Sequence, residues 1–237
     1  MERATQQEAK VTFLRYAIYF LPPASEAWAG FGASWLGWDV ETGQELAHPA
    51  ETGLDVAALT ATPRKYGLHA TMKPPFRLAE GQDVDALRRA CATLAASRPA
   101  VTLDGLEIAR LGRFLALRPV GELGALNALA AACVTELDPF RAPATPQELV
   151  RRRAARLSPE QDAHLLSWGY PYVLDQFRFH ITLTGRLDDD MLMQAQTLLQ
   201  RRLGPLLPVP FTLADLALVG EAGDGRFHLI HRYALSR

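Results

Sequence analysis

Cysteine is scarce: the 237 residues hold only Cys91 and Cys133. Both stand in Ala- and Leu-rich stretches of helical pattern, so they read as buried, reduced thiols in a protein kept in the cytoplasm. Long hydrophobic runs are also missing. The apolar run 11–21 is too short to span a bilayer and is interrupted by Arg15, and the polar opening 1–10 does not read as a targeting segment. Membrane partners are thereby excluded. Charge of one sign is lacking too. The formal net charge is −1, whereas a protein that tracks a long nucleic acid usually shows a basic excess. A small anionic substrate needs only a few local cations. Ligand spacings typical of a metal centre are absent: there is no His-Glu-x-x-His, no Cys-x-x-Cys and no His-x-His. A P-loop and a Gly-x-Ser-x-Gly elbow are missing as well. His48, His164, His228 and His231 find no chemical partner in sequence and read as packing or surface residues.

What remains is an ordinary globular composition with a strong internal pattern. Hydrophobic residues make up 49%, enough for a core without disulfides or a structural metal. Strand patterns fall at 11–20, 67–72, 101–109, 113–118, 177–184, 211–219 and 226–235, with Pro74-Pro75 expected to end the second. Helical patterns fall at 25–38, 54–60, 83–97, 123–136 and 188–203. Between 145 and 168 lie two more helices, each opened by a hydroxyl cap and a proline: Thr145-Pro146 and Ser158-Pro159. Arg151, Arg152, Arg153 and Arg156 of the first are read as a solvated basic face rather than a phosphate site.

The last third repeats the first. His69-Ala70-Thr71 matches His180-Ile181-Thr182 at an offset of 111. Arg77-Leu78 matches Arg186-Leu187 at 109, and Thr102-Leu103 matches Thr212-Leu213 at 110. Gly112-Arg113-Phe114 matches Gly225-Arg226-Phe227 at 113. Four matches in one order argue for two equivalent lobes. The expected fold is therefore α+β, a duplicated two-lobe architecture with mainly antiparallel sheets around a central cleft and helices outside. Residues 1–237 would form a single domain: an N-terminal strand 11–21, lobe one near 60–140, a helical insert near 141–170 and lobe two near 171–237.

Residues i and i+2 of a strand share a face. Arg178, His180, Thr182 and Thr184 would share one face of the second motif strand, with Phe177, Phe179, Ile181 and Leu183 behind. Gly67, His69, Thr71 and Lys73 would share the front of the first. A single such histidine signifies little on a wet sheet face. The same front appearing twice, at matched places in a repeat, points to function. A neutral imidazole takes a proton from water, and a protonated one gives a proton to a leaving alkoxide. The threonine hydroxyls can donate to phosphate oxygens, as can Lys73 and Arg178.

These residues resemble a known family. Paired His-x-Thr motifs in a duplicated α+β chain are similar to the two-histidine phosphoesterase superfamily, which includes bacterial RNA cyclic phosphodiesterases. The resemblance covers residue 66 to the C-terminus. A narrower likeness rests on Arg15-Tyr16-Ala17-Ile18-Tyr19-Phe20, Trp35-Leu36-Gly37-Trp38-Asp39, the segment from Tyr66-Gly67-Leu68-His69 to Pro74-Pro75-Phe76, and Trp168-Gly169-Tyr170-Pro171-Tyr172-Val173. It points to the phosphonate-metabolism branch encoded in carbon–phosphorus lyase operons. The resemblance implies a metal-independent phosphoesterase without a cofactor, acting on a small cyclic phosphate or phosphodiester, with His69, Thr71, His180 and Thr182 as catalytic motifs. Tyr66, Lys73, Tyr172 and Arg178 are added as substrate-binding residues from strand geometry and proximity in sequence. Two alternatives stand beside it: an RNA 2′,3′-cyclic phosphodiesterase, and a non-catalytic protein that binds a phosphorylated metabolite. Which histidine is acid and which is base, and the oligomeric state, are left open by the sequence.

Overall fold

Alternating apolar residues build the centre of the molecule as a sheet. The computed structural model describes residues 12–236; Val11 of the expected first strand lies outside them. The chain begins with β1 (Arg15–Phe20), α1 (Ala27–Leu36), the short β2 (Trp38–Asp39) and β3 (Gln44–Glu45), and α2 (Val56–Thr60). The first repeat follows as β4 (Ala70–Phe76), α3 (Val84–Ala96), β5 (Val101–Leu103), β6 (Gly105–Leu111), β7 (Phe114–Val120) and α4 (Gly124–Glu136). Next come α5 (Pro146–Arg153) and α6 (Pro159–Trp168). The second repeat is β8 (Ile181–Thr182), α7 (Asp189–Arg202), β9 (Phe211–Leu213), β10 (Asp215–Glu221) and β11 (Phe227–Ala234).

Seven of these strands form one continuous sheet in the order β11-β10-β1-β4-β8-β7-β6, and every neighbouring pair is antiparallel. The fold is α+β and mainly antiparallel, as the pattern of elements implies. The two motif strands are not on separate sheets facing each other, however. β4 and β8 are neighbours at the middle of one sheet, paired at Ala70 and Ile181. Behind the sheet, β5 and β9 pair through Thr102 and Thr212, whose hydroxyls are 3.2 Å apart. Both pairings join residues that the repeat makes equivalent, as a pseudo-two-fold axis requires. The repeats also interleave. Helix α3 packs on β10 and β11, α7 packs on β6 and β7, and β7 of the first repeat pairs with β8 of the second.

Local chemistry sets the helix ends. Asp83 caps α3 by accepting from the Ala86 N–H at 2.7 Å, and Asp188 caps α7 from Met191 at 2.8 Å. Thr145 with Glu148, and Ser158 with Gln161, form full capping boxes at α5 and α6. Leu87, Cys91, Leu94 and Ala95 of α3, with Leu192, Ala195, Leu198 and Leu199 of α7, recur at helical spacing and face the main core. Cys91 and Cys133 are both free and buried in that core. Among the described residues no helix is long and apolar enough to cross a membrane.

Four strand expectations are corrected: 101–109 divides into β5 and β6, and 211–219 into β9 and β10, each pair split between two sheets. β4 starts at Ala70 and runs through Pro74-Pro75 to Phe76 instead of ending at them. Its register against β1 shifts twice, so the prolines sit where the ladder is already irregular and lose little by having no N–H. The stretch 177–183 keeps its alternating burial, yet only Ile181–Thr182 is laddered.

Candidate active site

The Ala70–Ile181 pair fixes the site. Both side chains are buried in the core, so the residues on either side of each project to the opposite face. Continuing the antiparallel register by one residue sets His69 opposite Thr182 and His180 opposite Thr71. All four line one cleft of about 650 Å³, within the usual range for small-molecule sites. The front face proposed from alternation is therefore assembled from both strands at once.

The two imidazoles are held alike. His69 Nδ1 lies 3.0 Å from the Gly67 carbonyl, and His180 Nδ1 lies 2.8 Å from the Arg178 carbonyl. A carbonyl only accepts, so each Nδ1 carries the hydrogen and each Nε2 is the nitrogen left for chemistry. The Thr71 hydroxyl is 3.1 Å from His69 Nε2 and can donate to it. The surroundings differ. The His69 ring stacks on Tyr19, with centroids 3.9 Å apart, and Tyr66 lies beside it at 5.9 Å. Enclosure lowers the His69 pKa to about 4, opposed by the Gly67 hydrogen bond and reinforced by nearby His180. His69 is thus neutral at physiological pH. Gly67 makes this turn with φ +65°, and a side chain there would overlap Val40.

The walls come from four other parts of the chain. β1 contributes Arg15 and Tyr19, and the turn before β4 contributes Lys65 and Tyr66. Arg15 is held by two hydrogen bonds to Glu221, its cross-strand partner on β10. Opposite, α5 contributes Arg151 and Arg152, and the segment after α6 contributes Tyr170, Tyr172, Gln176 and Arg178. Arg178 also bends back to donate to the carbonyls of Asp175 and Phe177 at 3.0 and 2.7 Å. His164, without an evident partner in sequence, bonds Asp175 at 2.5 Å and ties α6 to this segment.

Seven of the eight expected site residues therefore line the cleft: His69, Thr71, His180, Thr182, Tyr66, Tyr172 and Arg178. Lys73 does not. The register moves two residues on β4, Thr71 to Lys73, against one on β1, Tyr19 to Ile18. This bulge reverses the alternation, and Lys73 points with Ile18 to the rear of the sheet. Lys73 is 2% exposed, donates to the Val134 carbonyl at 2.8 Å and sits 3.6 Å from Asp138. It serves the carbonyl end of α4, where a cation is favoured. Thr184 also leaves the front: it is buried and accepts from the Leu115 N–H at 3.0 Å.

Arg15, Tyr19, Lys65, Arg151, Arg152, Tyr170 and Gln176 were not foreseen in the cleft. Arg15 and Tyr19 carried a signal, since with Ala17 they share one strand face. The basic-face reading of α5 holds for Arg153, paired with Asp162 at 2.7 Å, and for Arg151, exposed at the cleft edge, whereas Arg152 is half-buried in the cleft wall. Arg156 lies beyond the helix in a left-handed conformation, φ +56°.

The model of the family described as "Protein of unknown function (DUF1045)" matches residues 71–228. A protein from Janthinobacterium sp. (strain Marseille) named ribose 1,5-bisphosphate phosphokinase PhnN is 38% identical over 218 residues, covering 89% of this chain and 48% of that protein. The protein of that name from Laribacter hongkongensis (strain HLHK9) is 36% identical over 176 residues, covering 74% of this chain and 41% of its own length. The chain thus spans about half the length of the curated relatives it matches. Among solved structures, E. coli LigT complexed with NADP+ aligns with a TM-score of 0.42 at 15% identity, over 95% of this chain and 99% of that one.

Proposed function

The chain belongs to the DUF1045 family, and from its own site we propose that it is a metal-independent phosphoesterase hydrolysing a small cyclic phosphate or phosphodiester. One observation carries the reading: two His-x-Thr motifs meet at the Ala70–Ile181 pair and aim both Nε2 atoms into one cleft. Binding alone would not call for two proton-transfer groups of fixed tautomer. His69, neutral because it is enclosed, is the general base. Its Nε2 takes a proton from water as the water oxygen bonds to phosphorus. The P–O bond on the far side breaks, and His180, entering the step with a proton on Nε2 as well as on Nδ1, gives the Nε2 proton to the leaving oxygen. Thr71 and Thr182 donate to the non-bridging oxygens as charge builds on them. Among the described residues no carboxylate or thiol lines the cleft, so its ionisable groups suit an anion held by donors rather than a metal held by acceptors.

The relatives' name gives a class of substrate. Water opening a cyclic phosphate on a phosphorylated ribose yields a ribose bisphosphate, the compound named for the kinases of which this chain matches half. A cyclic ribosyl phosphate, as in the breakdown of phosphonates, is the substrate class we assign. The test is turnover of a panel of cyclic phosphates, with His69→Ala and His180→Ala proteins alongside and with EDTA present. Each replacement is expected to reduce kcat by about 10²–10⁴-fold, and the chelator to change nothing. Full activity in either variant, or loss in EDTA restored by a divalent ion, would overturn the mechanism.

A further inference from the structure

The cleft carries more positive charge than one phosphodiester requires. Among the described residues its lining holds five cationic side chains and no carboxylate. Arg15 is neutralised by Glu221, and Arg178 is folded onto its own backbone. Lys65, Arg151 and Arg152 are different, for none has a carboxylate partner among the described residues. Arg152 is half-buried, with its guanidinium over the Tyr170 ring at 4.7 Å from the centroid. Burial lowers its pKa most, Tyr170 and Glu148 raise it, and Arg151 and Arg15 lower it, so an arginine is held in a partly desolvated place with charges of both signs near it and Glu148 itself engaged by Arg77. The neighbouring Arg153 on the same helix does take a carboxylate, Asp162. A cation with no carboxylate bonded to it among the described residues, oriented by an aromatic face and open to a cleft, is arranged to receive an anion from outside.

We propose that Arg152, with Arg151 and Lys65, forms a second anion subsite that takes a phosphomonoester on the substrate, separate from the phosphodiester cut between the histidines. The substrate class is then a phosphorylated sugar cyclic phosphate rather than a nucleoside cyclic phosphate. Arginine suits the role because its planar fork donates two parallel bonds to phosphate oxygens. Lys65, whose Nζ lies 4.8 Å from the Tyr66 ring centroid, lines the same cleft from the turn before β4. This assignment rests on the phosphoesterase reading for the cut bond, but it can be tested apart from it.

The experiment compares ribose 1,2-cyclic phosphate with and without a 5-phosphate. The protein is expected to prefer the 5-phosphorylated compound, and Arg152→Gln to shrink that preference by about ten- to a hundredfold, the effect of one charge-assisted bond. Arg152→Lys should restore part of it. Equal losses on both compounds would mean that Arg152 only packs α5 against Tyr170, and the proposal would fall; so would absence of any preference. Calorimetry with ribose 5-phosphate and the His69→Ala/His180→Ala protein reads the subsite without chemistry. Binding weakened about tenfold or more by Arg152→Gln, with neither cyclic compound turned over, would leave the subsite standing and sink the esterase. No detectable binding would sink the subsite. A thermal melt checks folding, and if Arg152→Gln unfolds, Arg151→Gln and Lys65→Gln carry the same comparison.

Discussion

Single side chains here are governed by which face of a strand they reach and how much water follows them. His69 and His180 share a tautomer but not an environment, and that difference is the basis for proposing His69 as the base where the repeat alone leaves the two symmetric. Enclosure under Tyr19 brings the His69 pKa to about 4. The acid limb of kcat/KM should therefore lie near pH 4, far below that of an ordinary imidazole, and belong to the coupled pair. The sign for stability follows the same direction. Between pH 6.5 and about 4 the unfolded chain takes up a proton that folded His69 refuses, so this contribution is present above that window and lost as pH falls through it. Rate profiles from pH 3.5 to 8 check the assignment; an acid limb near 6.5 would move the base elsewhere. Lys73 runs the other way. Its pKa is lowered to about 8 by burial, so the unfolded chain binds the extra proton between about 8 and 10.5 and stability rises with pH across that range. Lys73→Met should abolish this rise, keep stability at pH 7 within about 2 kcal/mol, and leave turnover unchanged. Urea melts at pH 7 and 9.5 measure the first two. A large loss of turnover would return Lys73 to the substrate.

At the scale of elements, most of what alternation and capping promise is realised. Asp83, Thr145, Ser158 and Asp188 cap the helices they precede, because a cap needs only neighbours three residues away. The histidine face was legible for the same reason: period two is local. What escaped depends on a partner strand. The bulge that turns Lys73 inward exists only against β1, and nothing in the Thr71-Met72-Lys73 tripeptide announces it. The cleft roles of Arg151, Arg152 and Tyr170 depend on how α5 and α6 dock, which their own periodicity does not encode. One local feature is sensitive in a way that can be measured. The turn into β4 needs Gly67 at φ +65°, and that residue's carbonyl also sets the His69 tautomer. Gly67→Ala combines backbone strain with a clash on Val40. It is expected to cost about 1–3 kcal/mol of stability and to lower kcat more than tenfold, since a displaced carbonyl releases the imidazole. Thermal melts and kinetics read both, and a Gly67→Ala protein of normal kcat would show that the tautomer does not depend on this bond.

For the whole molecule, the repeat predicts equivalence but not connectivity. The pairs Ala70–Ile181 and Thr102–Thr212 express the equivalence directly. The exchange of hairpins, with α3 backing β10 and β11 while α7 backs β6 and β7, has no trace in the spacing, because an offset of 110 is the same whether each hairpin stays home or crosses over. The crossing has a thermodynamic consequence. Each half of the sheet is completed by strands from the other repeat, and the main core draws residues from both, Leu87 and Leu94 with Leu216 and Leu218 among them. Neither repeat can bury its own apolar face alone, so the two should unfold as one unit. Denaturation followed by far-UV circular dichroism and by tryptophan fluorescence should give coincident single transitions. A destabilising change in the second repeat, such as Leu216→Ala, should shift the whole transition by about 2–5 kcal/mol without splitting it. Fragments 12–143 and 144–236 should each stay largely unfolded and regain structure and turnover only when mixed. Two separated transitions, or a first fragment that folds cooperatively alone, would show that the interleaved contacts do not couple the halves.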